Sequence, residues 1–244
     1  MVTRAFATHF ARVIGTDPSS GMVAQARAVT ASKDFPNVEF QEAKAERLTK
    51  IEDGSADIVV AGQAAHWFDY PRLWPELRRV LRPGGTMAFW GYTDHVFVDY
   101  PAATQLLHQC TYSQDNGDLG PYWVYPGRGI VEGKLRDIKP PEDEWEQITR
   151  LEYEPGTKGP GSGQGMLFMS KQMTVEDCKE YVRTWSAYDG WKEAHPQQKR
   201  RAEGGSGDVV DRLFDQMADA EGWTSGDQLV EVEMGSGLLM ARRA

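Results

Sequence analysis

The sequence contains little cysteine and no long hydrophobic run. Only Cys110 and Cys178 are present among 244 residues, and they stand far apart without a CxxC or Cys/His spacing, so neither a disulfide framework nor a zinc site is indicated. No apolar stretch approaches the ~20 residues of a membrane-spanning helix. We expect a cytoplasmic protein with free thiols and no bound metal, although Arg4 and Arg12 in an acid-free N-terminus leave a mitochondrial presequence open.

Positive charge is also scarce. Lys and Arg number 27 against 36 Asp and Glu, which gives a formal net charge of -9. Nucleic acids and anionic membrane surfaces are bound through clustered basic side chains, and the basic run from Lys199 to Arg201 is short enough to be a solvated helix end. We therefore expect a small-molecule substrate, and neither nucleic acid nor a membrane as partner. The composition does not indicate an oligomeric state.

Apolar runs and helical periodicity alternate through the first 92 residues. The spacing of Phe6 and Phe10 predicts a helix, and the β-branched run at 57–61 predicts a strand covered on both faces. This alternation predicts an α/β fold with a mainly parallel sheet and helices on both faces. The predicted strands are 13–16, 37–41, 57–61 and 86–90, and the predicted helices are 3–11, 20–30 and 73–81.

The pattern changes after Tyr92. Residues 93–168 are rich in Tyr, Trp, Pro and Gly, and GTKGPGSGQG at 156–165 predicts a flexible surface loop. The stretch GGSGD at 204–208 follows charged residues, not a strand, so we interpret it as a turn and a helix cap and not as a nucleotide loop. The later predicted elements are helix 174–188 with Thr174 as N-cap, helix 208–220, and a closing hairpin of strands 228–233 and 236–242.

The most informative short stretch is VIGTDPS at residues 13–19. It predicts a strand that ends in an acidic residue, Asp17, where Pro18 and Ser19 turn the chain away. A carboxylate in this place accepts hydrogen bonds from the adjacent hydroxyls of a ribose in nucleotide-binding α/β sheets. Asp17 is therefore the first ligand candidate, and the alternative is that it caps the following helix.

Several stretches in this order carry a family resemblance. VIGTDPSSGM is followed by DIVVAGQAAHWFD at 57–69 and LRRVLRPGGTMAFWGY at 77–92, then by GPYWVYPGR, YVRTWSAY and VEVEMGSGLLMARR. With them, nearly the whole chain resembles the class I S-adenosylmethionine-dependent methyltransferases, and it is similar to trans-aconitate methyltransferase and related fungal small-molecule methyltransferases. The resemblance implies a Rossmann-like sheet, S-adenosylmethionine as cofactor and methyl transfer to oxygen of an organic acid or secondary metabolite.

The resemblance also implies residues that hold the methyl donor. Met22 is interpreted as a wall against the adenine, with a core methionine as the alternative, and Glu46 as a contact at the adenine edge, with a solvated charge as the alternative. His66 faces the substrate as the catalytic candidate, and its alternative is a packed side chain. The implied cofactor-binding residues are Asp17, Met22, Ala45, Glu46, Gln63 and Ala64.

Aromatic and guanidinium side chains indicate a substrate lid. Trp67 and Trp90 are predicted to be walls, because aromatic faces attract a sulfonium and shield it from water. Rings combined with guanidinium groups suit an organic acid that needs bidentate pairing, although for each residue alone packing or a surface charge is the alternative. The predicted substrate-binding residues are Trp67, Trp90, Trp123, Arg128, Arg183, Trp185 and Tyr188.

One part of the family's pattern has no counterpart. The glycine-rich loop that precedes the ribose-binding acid by about 20 residues would fall before Met1, and with it the strand that lies centrally in the family's sheet. We therefore expect an N-terminally truncated sheet in which the strand ending at Asp17 and the strand beginning at Asp57 each have an unpaired edge. Weak cofactor binding is expected unless another segment or subunit fills the gap.

Two other classes of function stay open, because a fold alone does not decide among them. One is a methyltransferase-like protein that has lost methyl transfer and acts by binding or regulation. The other is a cofactor-independent cyclase or isomerase. In each case we expect a single methyltransferase-like domain, with a cofactor-binding half at 1–92, a lid and substrate region at 93–190, and a C-terminal helix and closing hairpin at 191–244.

Overall fold

The computed structural model describes residues 2–244, which form a mixed α/β fold, as predicted. Short 3-10 turns connect several of the longer elements. The strands are β1 (Val13–Asp17), β2 (Val38–Glu42), β3 (Ala56–Gly62), β4 (Leu81–Phe97), β5 (Trp145–Glu154), β6 (Gln164–Gly165), β7 (Ser170–Thr174) and β8 (Leu229–Arg243). The α-helices are α1 (Val2–Phe6), α2 (Ser20–Ala28), α3 (Tyr70–Val80), α4 (Pro101–Tyr112), α5 (Gly127–Glu132), α6 (Val175–Val182), α7 (Ser186–Ala194) and α8 (Val209–Glu221).

The strands form two sheets. β1 and β2 pair in parallel, with Val13 opposite Val38 and Asp17 opposite Glu42. The larger sheet has the order β3-β4-β8-β5-β6, and β7 also pairs with β8. Its first pair, β3 and β4, is parallel, whereas β5 with β6 and β7 with β8 are antiparallel.

The predicted pair of unpaired strand edges is present. Among residues 2–244, β1 has only β2 as its neighbour, and β3 has only β4. Each of these two parallel strands therefore carries one edge whose backbone groups no described strand satisfies. The expected effect on cofactor affinity stays a prediction.

Contacts divide the chain into two compact units. The first unit comprises Met1–Trp90, Asp137–Arg150 and Leu239–Ala244, and the second comprises Gly91–Arg136 and Leu151–Leu238. In the first unit, α3 buries Leu73, Leu77 and Val80. The second unit has a larger apolar core, which includes Leu107, Val182, Trp191, Leu213 and Met217.

The caps of two helices form as predicted. The Thr174 hydroxyl accepts a hydrogen bond from the Asp177 backbone N–H at 3.0 Å and begins α6. Asp208, the last residue of GGSGD, begins α8 through a reciprocal capping box with Asp211. This stretch is therefore a turn and cap and not a nucleotide loop.

The predicted closing hairpin is wrong, because β8 is one continuous strand. Gly235 lies in the predicted turn and Gly237 in the predicted second strand, and both serve close packing within the second unit. A Cβ on Gly237 would lie 2.3 Å from the carbonyl oxygen of Lys134, and one on Gly235 would lie 2.5 Å from Oγ1 of Thr93. Glycine is needed here for the approach of neighbouring atoms and not for a bend.

The predicted helix 174–188 is also wrong in its second half. The α-helix ends at Val182, and Trp185 has an extended backbone with φ -74° and ψ 141° before α7 begins. No proline or glycine marks this break in the sequence. The break places the Trp185 ring in the buried aromatic cluster of the second unit, so that tertiary packing overrides the local helical pattern.

Candidate active site

The carboxylate of Asp17 stands at the carboxyl end of β1. Its Oδ1 accepts a hydrogen bond from the Ser19 backbone N–H at 2.8 Å. The cap of α2 is Ser19, whose hydroxyl accepts from the Met22 N–H at 3.3 Å. The cap alternative for Asp17 is therefore not what the structure shows, and its Oδ2 makes no hydrogen bond or ion pair within residues 2–244.

Met22, in the first turn of α2, is 59% exposed. A thioether that packed in the core would be covered, so the core alternative for this residue does not hold. Its predicted contact with adenine stays a prediction. The exposed apolar side chain one turn beyond Asp17 is what such a contact requires.

Glu46 connects two loops of the first unit. Its Oε1 accepts a hydrogen bond from the Asp69 backbone N–H at 2.8 Å, and Asp69 is the cap residue of α3. The side chain thus holds the chain segment that follows β2 against the start of a helix. Its neighbour Ala45 is half-buried in that segment, and the roles of both residues toward the donor stay predictions.

The end of β3 carries a strained backbone. Gln63 adopts φ 53°, a left-handed conformation that costs free energy in a residue with a side chain. Its backbone N–H donates to the carbonyl of Trp90 at 2.9 Å, and a Cβ on Gly62 would lie 2.6 Å from the Trp90 ring. The indole of Trp90 therefore lies directly over the glycine that precedes Gln63 and Ala64. Strain of this kind is characteristic of functional sites.

A 3-10 turn at Ala65–Trp67 presents two further predicted residues. The Tyr70 hydroxyl donates to the Ala65 carbonyl at 2.6 Å and fixes this turn to α3. The ring centroids of His66 and Trp67 are 4.7 Å apart, and Trp67 is 57% exposed. A large indole held this far into solvent is not core packing.

In the second unit, Arg128 is buried among acids and rings. Its Nη2 donates to Asp94 Oδ2 at 2.5 Å and to the Tyr112 hydroxyl at 2.6 Å, and its Nε donates to Glu132 at 2.9 Å. The guanidinium carbon lies 4.0 Å from the centroid of the Trp123 ring. Two carboxylates therefore face one guanidinium, which leaves no unbalanced positive charge for the carboxylate of a substrate.

Arg183 and Tyr188 lie in a separate network of the second unit. Arg183 is bidentate to Asp208, at 3.0 Å for both bonds, and also donates to Asp211 at 2.8 Å. The Tyr188 hydroxyl donates to Asp208 at 2.7 Å. Burial and hydrogen bonding to the carboxylate together raise the pKa of Tyr188 above its usual range. These partners favour a structural role for both residues, and their contact with substrate stays a prediction.

The sequence analysis missed His95, on β4. It is 2% exposed, and neither ring nitrogen has a hydrogen-bond partner among the described residues. The rings around it belong to Phe97, Tyr181 and Trp185, with centroids 4.9, 5.6 and 6.1 Å away. Burial lowers the pKa of His95 to about 4, against the opposing effect of Asp94. Continuing the alternation of buried residues beyond Trp90 would have placed His95 in the interior.

Several features of the first unit fit S-adenosylmethionine as a ligand. Among residues 2–244 the carboxylate oxygen Oδ2 of Asp17 has no partner at its strand end, Met22 is exposed in the first turn of α2, and Gln63 is strained at the end of a second parallel strand. Open α/β sheets bind ligands at the carboxyl ends of their strands. Within residues 2–244, no three His, Cys, Asp or Glu side chains are grouped as metal ligands would be, and no helix there is long and apolar enough to span a bilayer.

This fold and these residues define an α/β enzyme of the nucleotide-binding type. The family described as "Methyltransferase domain" matches residues 1–89. The "Probable S-adenosylmethionine-dependent methyltransferase CRG1" of Saccharomyces cerevisiae is 30% identical over 198 residues, which are 78% of this chain and 67% of that protein. Trans-aconitate 2-methyltransferase of Deinococcus radiodurans is 37% identical over 100 residues, 41% of this chain and 36% of that protein.

A solved structure agrees with these relatives. The "Putative Type II Methyltransferase" of Anaeromyxobacter dehalogenans has a TM-score of 0.69 and 26% identity, and the match covers 99% of this chain and 84% of that one. The chain belongs to the S-adenosylmethionine-dependent methyltransferase family. It is a methyltransferase with the α/β fold of that family.

Proposed function

We propose that this protein transfers the methyl group of S-adenosylmethionine to an oxygen atom of a small molecule, an organic acid or a secondary metabolite. The observation that carries the donor site is the free Oδ2 of Asp17 at the end of β1. A charged acceptor in that position binds a hydroxyl of the ribose with a charge-assisted hydrogen bond. The net charge of -9 supports a small organic molecule as acceptor and not nucleic acid.

The bound donor supplies a methyl carbon that is already activated by a positively charged sulfur. The chain therefore needs to orient the reactants and exclude water, and orientation alone can lower the barrier by ~7 to 11 kcal/mol. Asp17 would hold the ribose, Met22 would cover the adenine, and Ala45 and Glu46 would line its edge. Gln63 and Ala64 would contact the methionine part.

Aromatic side chains suit the positively charged end of the donor. Trp90 lies over Gly62 in the first unit, and the exposed Trp67 stands on the turn with His66. Their faces can attract a sulfonium and exclude water. His66 is the proposed acid–base residue where the acceptor atom carries a proton at neutral pH.

The predicted substrate contacts Trp123, Arg128 and Trp185 belong to the second unit. Trans-aconitate 2-methyltransferase of Deinococcus radiodurans, by its name, acts on an organic acid, which supports that class of acceptor. The ion pairs of Arg128 with Asp94 and Glu132 weigh against it.

Incubation with S-adenosylmethionine that carries a trideuteromethyl group tests the proposal. A panel of aromatic alcohols and organic acids is added, and mass spectrometry detects the labelled methyl group. We expect labelled product with wild type and with the control Glu42→Gln, which changes the register partner of Asp17 on β2, and little with Asp17→Asn. No labelled product from any member of the panel would contradict the proposal.

A further inference from the structure

The aromatic cluster around His95 in the second unit contains a feature that the proposed reaction does not yet use. His95, Tyr181, Trp185 and Trp123 form a continuous group, in which the Trp123 and Trp185 ring centroids are 5.7 Å apart. The imidazole offers one donor and one acceptor when neutral, and both are without a partner. A buried polar group without a hydrogen bond costs about 1 to 3 kcal/mol. A buried polar group without a partner calls for an explanation, and a ligand that supplies the missing hydrogen bond is one.

The charges beside this cluster select against an anion. Asp94, adjacent to His95 on β4, shares its Oδ2 between Arg128 and the Tyr112 hydroxyl at 2.5 and 2.7 Å. Glu132 occupies the other side of the same guanidinium. The single positive charge of Arg128 thus faces the two negative charges of Asp94 and Glu132. A carboxylate brought here would add a third negative charge with no cation to balance it.

The surrounding side chains favour a flat molecule. The rings of Tyr181 and Trp185 meet the imidazole at interplanar angles of 64° and 61°, and edge-to-face contacts of this kind extend readily to one more ring. Tyr181 and Trp123 are half-buried, so they form the side from which a ligand would approach. The His95 ring itself is covered, and a ligand would reach it by displacing one of these two rings.

We propose that His95 is the specificity-determining contact of a binding site within the second unit, and that this site takes a neutral aromatic alcohol and not a carboxylate. The hydroxyl of such a molecule exchanges a hydrogen bond with the unpartnered imidazole, while its ring packs against Tyr181 and Trp185. That the same molecule receives the methyl group rests on the proposed function. That it binds to the second unit does not rest on the proposed function.

A matched pair of probes tests the proposal. 2-Naphthol and 2-naphthoate share one ring system. At pH 7 the first carries a neutral hydroxyl and the second a negatively charged carboxylate. Calorimetry gives their affinities for wild type, for His95→Phe and for His108→Phe, which changes an exposed histidine of α4. Phenylalanine keeps the size and aromatic character of the buried ring and removes its hydrogen bonds.

We expect wild type and His108→Phe to bind 2-naphthol at least tenfold more tightly than 2-naphthoate. His95→Phe should bind 2-naphthol at least tenfold more weakly. In ¹⁵N-histidine-labelled wild type, the His95 ring resonances should shift on addition of 2-naphthol, which tests the contact even if the variant fails to fold. Unchanged His95 resonances, equal affinity of His95→Phe, or tighter binding of 2-naphthoate would each overturn the proposal.

The reaction is tested apart from binding. If 2-naphthol binds at His95 but receives no methyl group from S-adenosylmethionine, while the whole acceptor panel is also unmodified, the proposed function fails and the binding site stands. If other panel members are methylated and 2-naphthol does not contact His95, the proposed function stands and this inference fails.

Discussion

The stability of this protein in mild acid should depend on one buried imidazole. Burial lowers the pKa of His95 to about 4 from its usual 6.5. Between these two values the unfolded chain binds a proton on this side chain and the folded chain does not. The free energy of unfolding therefore falls as the pH falls from 6.5 towards 4. The Asp94 carboxylate beside it opposes the shift, but burial is the larger cause.

The magnitude follows from the two pKa values. At ~1.4 kcal/mol for each tenfold change in proton affinity, the full effect is about 3 kcal/mol, and most of it is present at pH 4.5. A loss of 1 kcal/mol shifts the midpoint of thermal unfolding by about 2 to 4 °C in a chain of this size. Wild type should thus lose about 5 to 10 °C between pH 7 and 4.5 through His95 alone.

The assay compares thermal unfolding of wild type, His95→Phe and His108→Phe at pH 7 and at pH 4.5. Carboxylates that titrate in the same range are common to all three proteins, so their effects cancel in the difference. His95→Phe should be the less pH-sensitive protein by the amount above, and at pH 7 it should be as stable as wild type or more stable, because it removes an unsatisfied buried group. Equal pH dependence in wild type and His95→Phe would refute the assignment of a neutral, buried imidazole.

Three further substitutions test other parts of the structure. Asp208→Ala removes the cap of α8 and leaves the buried Arg183 without its bidentate partner. It should lower the free energy of unfolding, measured by chemical denaturation, by about 3 to 5 kcal/mol. The control Asp215→Ala breaks an exposed pair with Arg201 and should lower it by less than ~1 kcal/mol. Glu233→Ala removes the acceptor for the Tyr153 hydroxyl and for the Gly161 N–H, which lies within residues 156–165. Limited proteolysis should therefore cut within residues 156–165 at least tenfold faster. The control Glu231→Ala on the same strand should not change the rate of cleavage. Gly62→Ala places a methyl group 2.6 Å from the Trp90 ring. It should lower the affinity for S-adenosylmethionine at least tenfold. The control Gly226→Ala, whose added methyl group would have its nearest contact at 3.4 Å, should leave this affinity unchanged.

Much of the first 92 residues could be predicted from local pattern alone. The β-branched run at 57–61 lies within β3, and the turn after Asp17 ends β1 as expected. These elements are specified by short-range rules of periodicity and capping. β4 continues to Phe97, seven residues beyond the predicted end at Trp90. The prediction ended early because Thr93 and Asp94 are polar and conceal the alternation. A strand that is polar in part gives a weak periodic signal.

The second unit was less predictable, for two physical reasons. Glycines such as Gly235 permit a close approach of atoms distant in the sequence, and a sequence does not distinguish that from a turn. α4 did carry a signal in the spacing of Ala103, Leu107 and Cys110, all buried on one face, which the richness of the region in Tyr, Trp, Pro and Gly obscured.

The predicted site residues also divide into those identified from local pattern and those whose roles depend on partners distant in the sequence. Asp17 could be found because strand-end acids have a fixed place in this kind of fold. The guanidinium groups of Arg128 and Arg183 were interpreted as substrate contacts, yet their acidic partners Asp94 and Asp208 lie 34 and 25 residues away in the chain. Only tertiary structure reveals that such charges are already balanced. The interpretation of His95 depends on the same long-range information.

The most direct test of the central claim is the binding of S-adenosylmethionine measured by calorimetry with wild type, Asp17→Asn and Glu42→Gln. A charge-assisted hydrogen bond contributes about 1.5 to 3 kcal/mol, so Asp17→Asn should bind about 10- to 100-fold more weakly than wild type, and Glu42→Gln should bind equally well. Equal affinity of wild type and Asp17→Asn, or no heat of binding from folded wild-type protein, would contradict a donor held by the carboxylate at the end of β1.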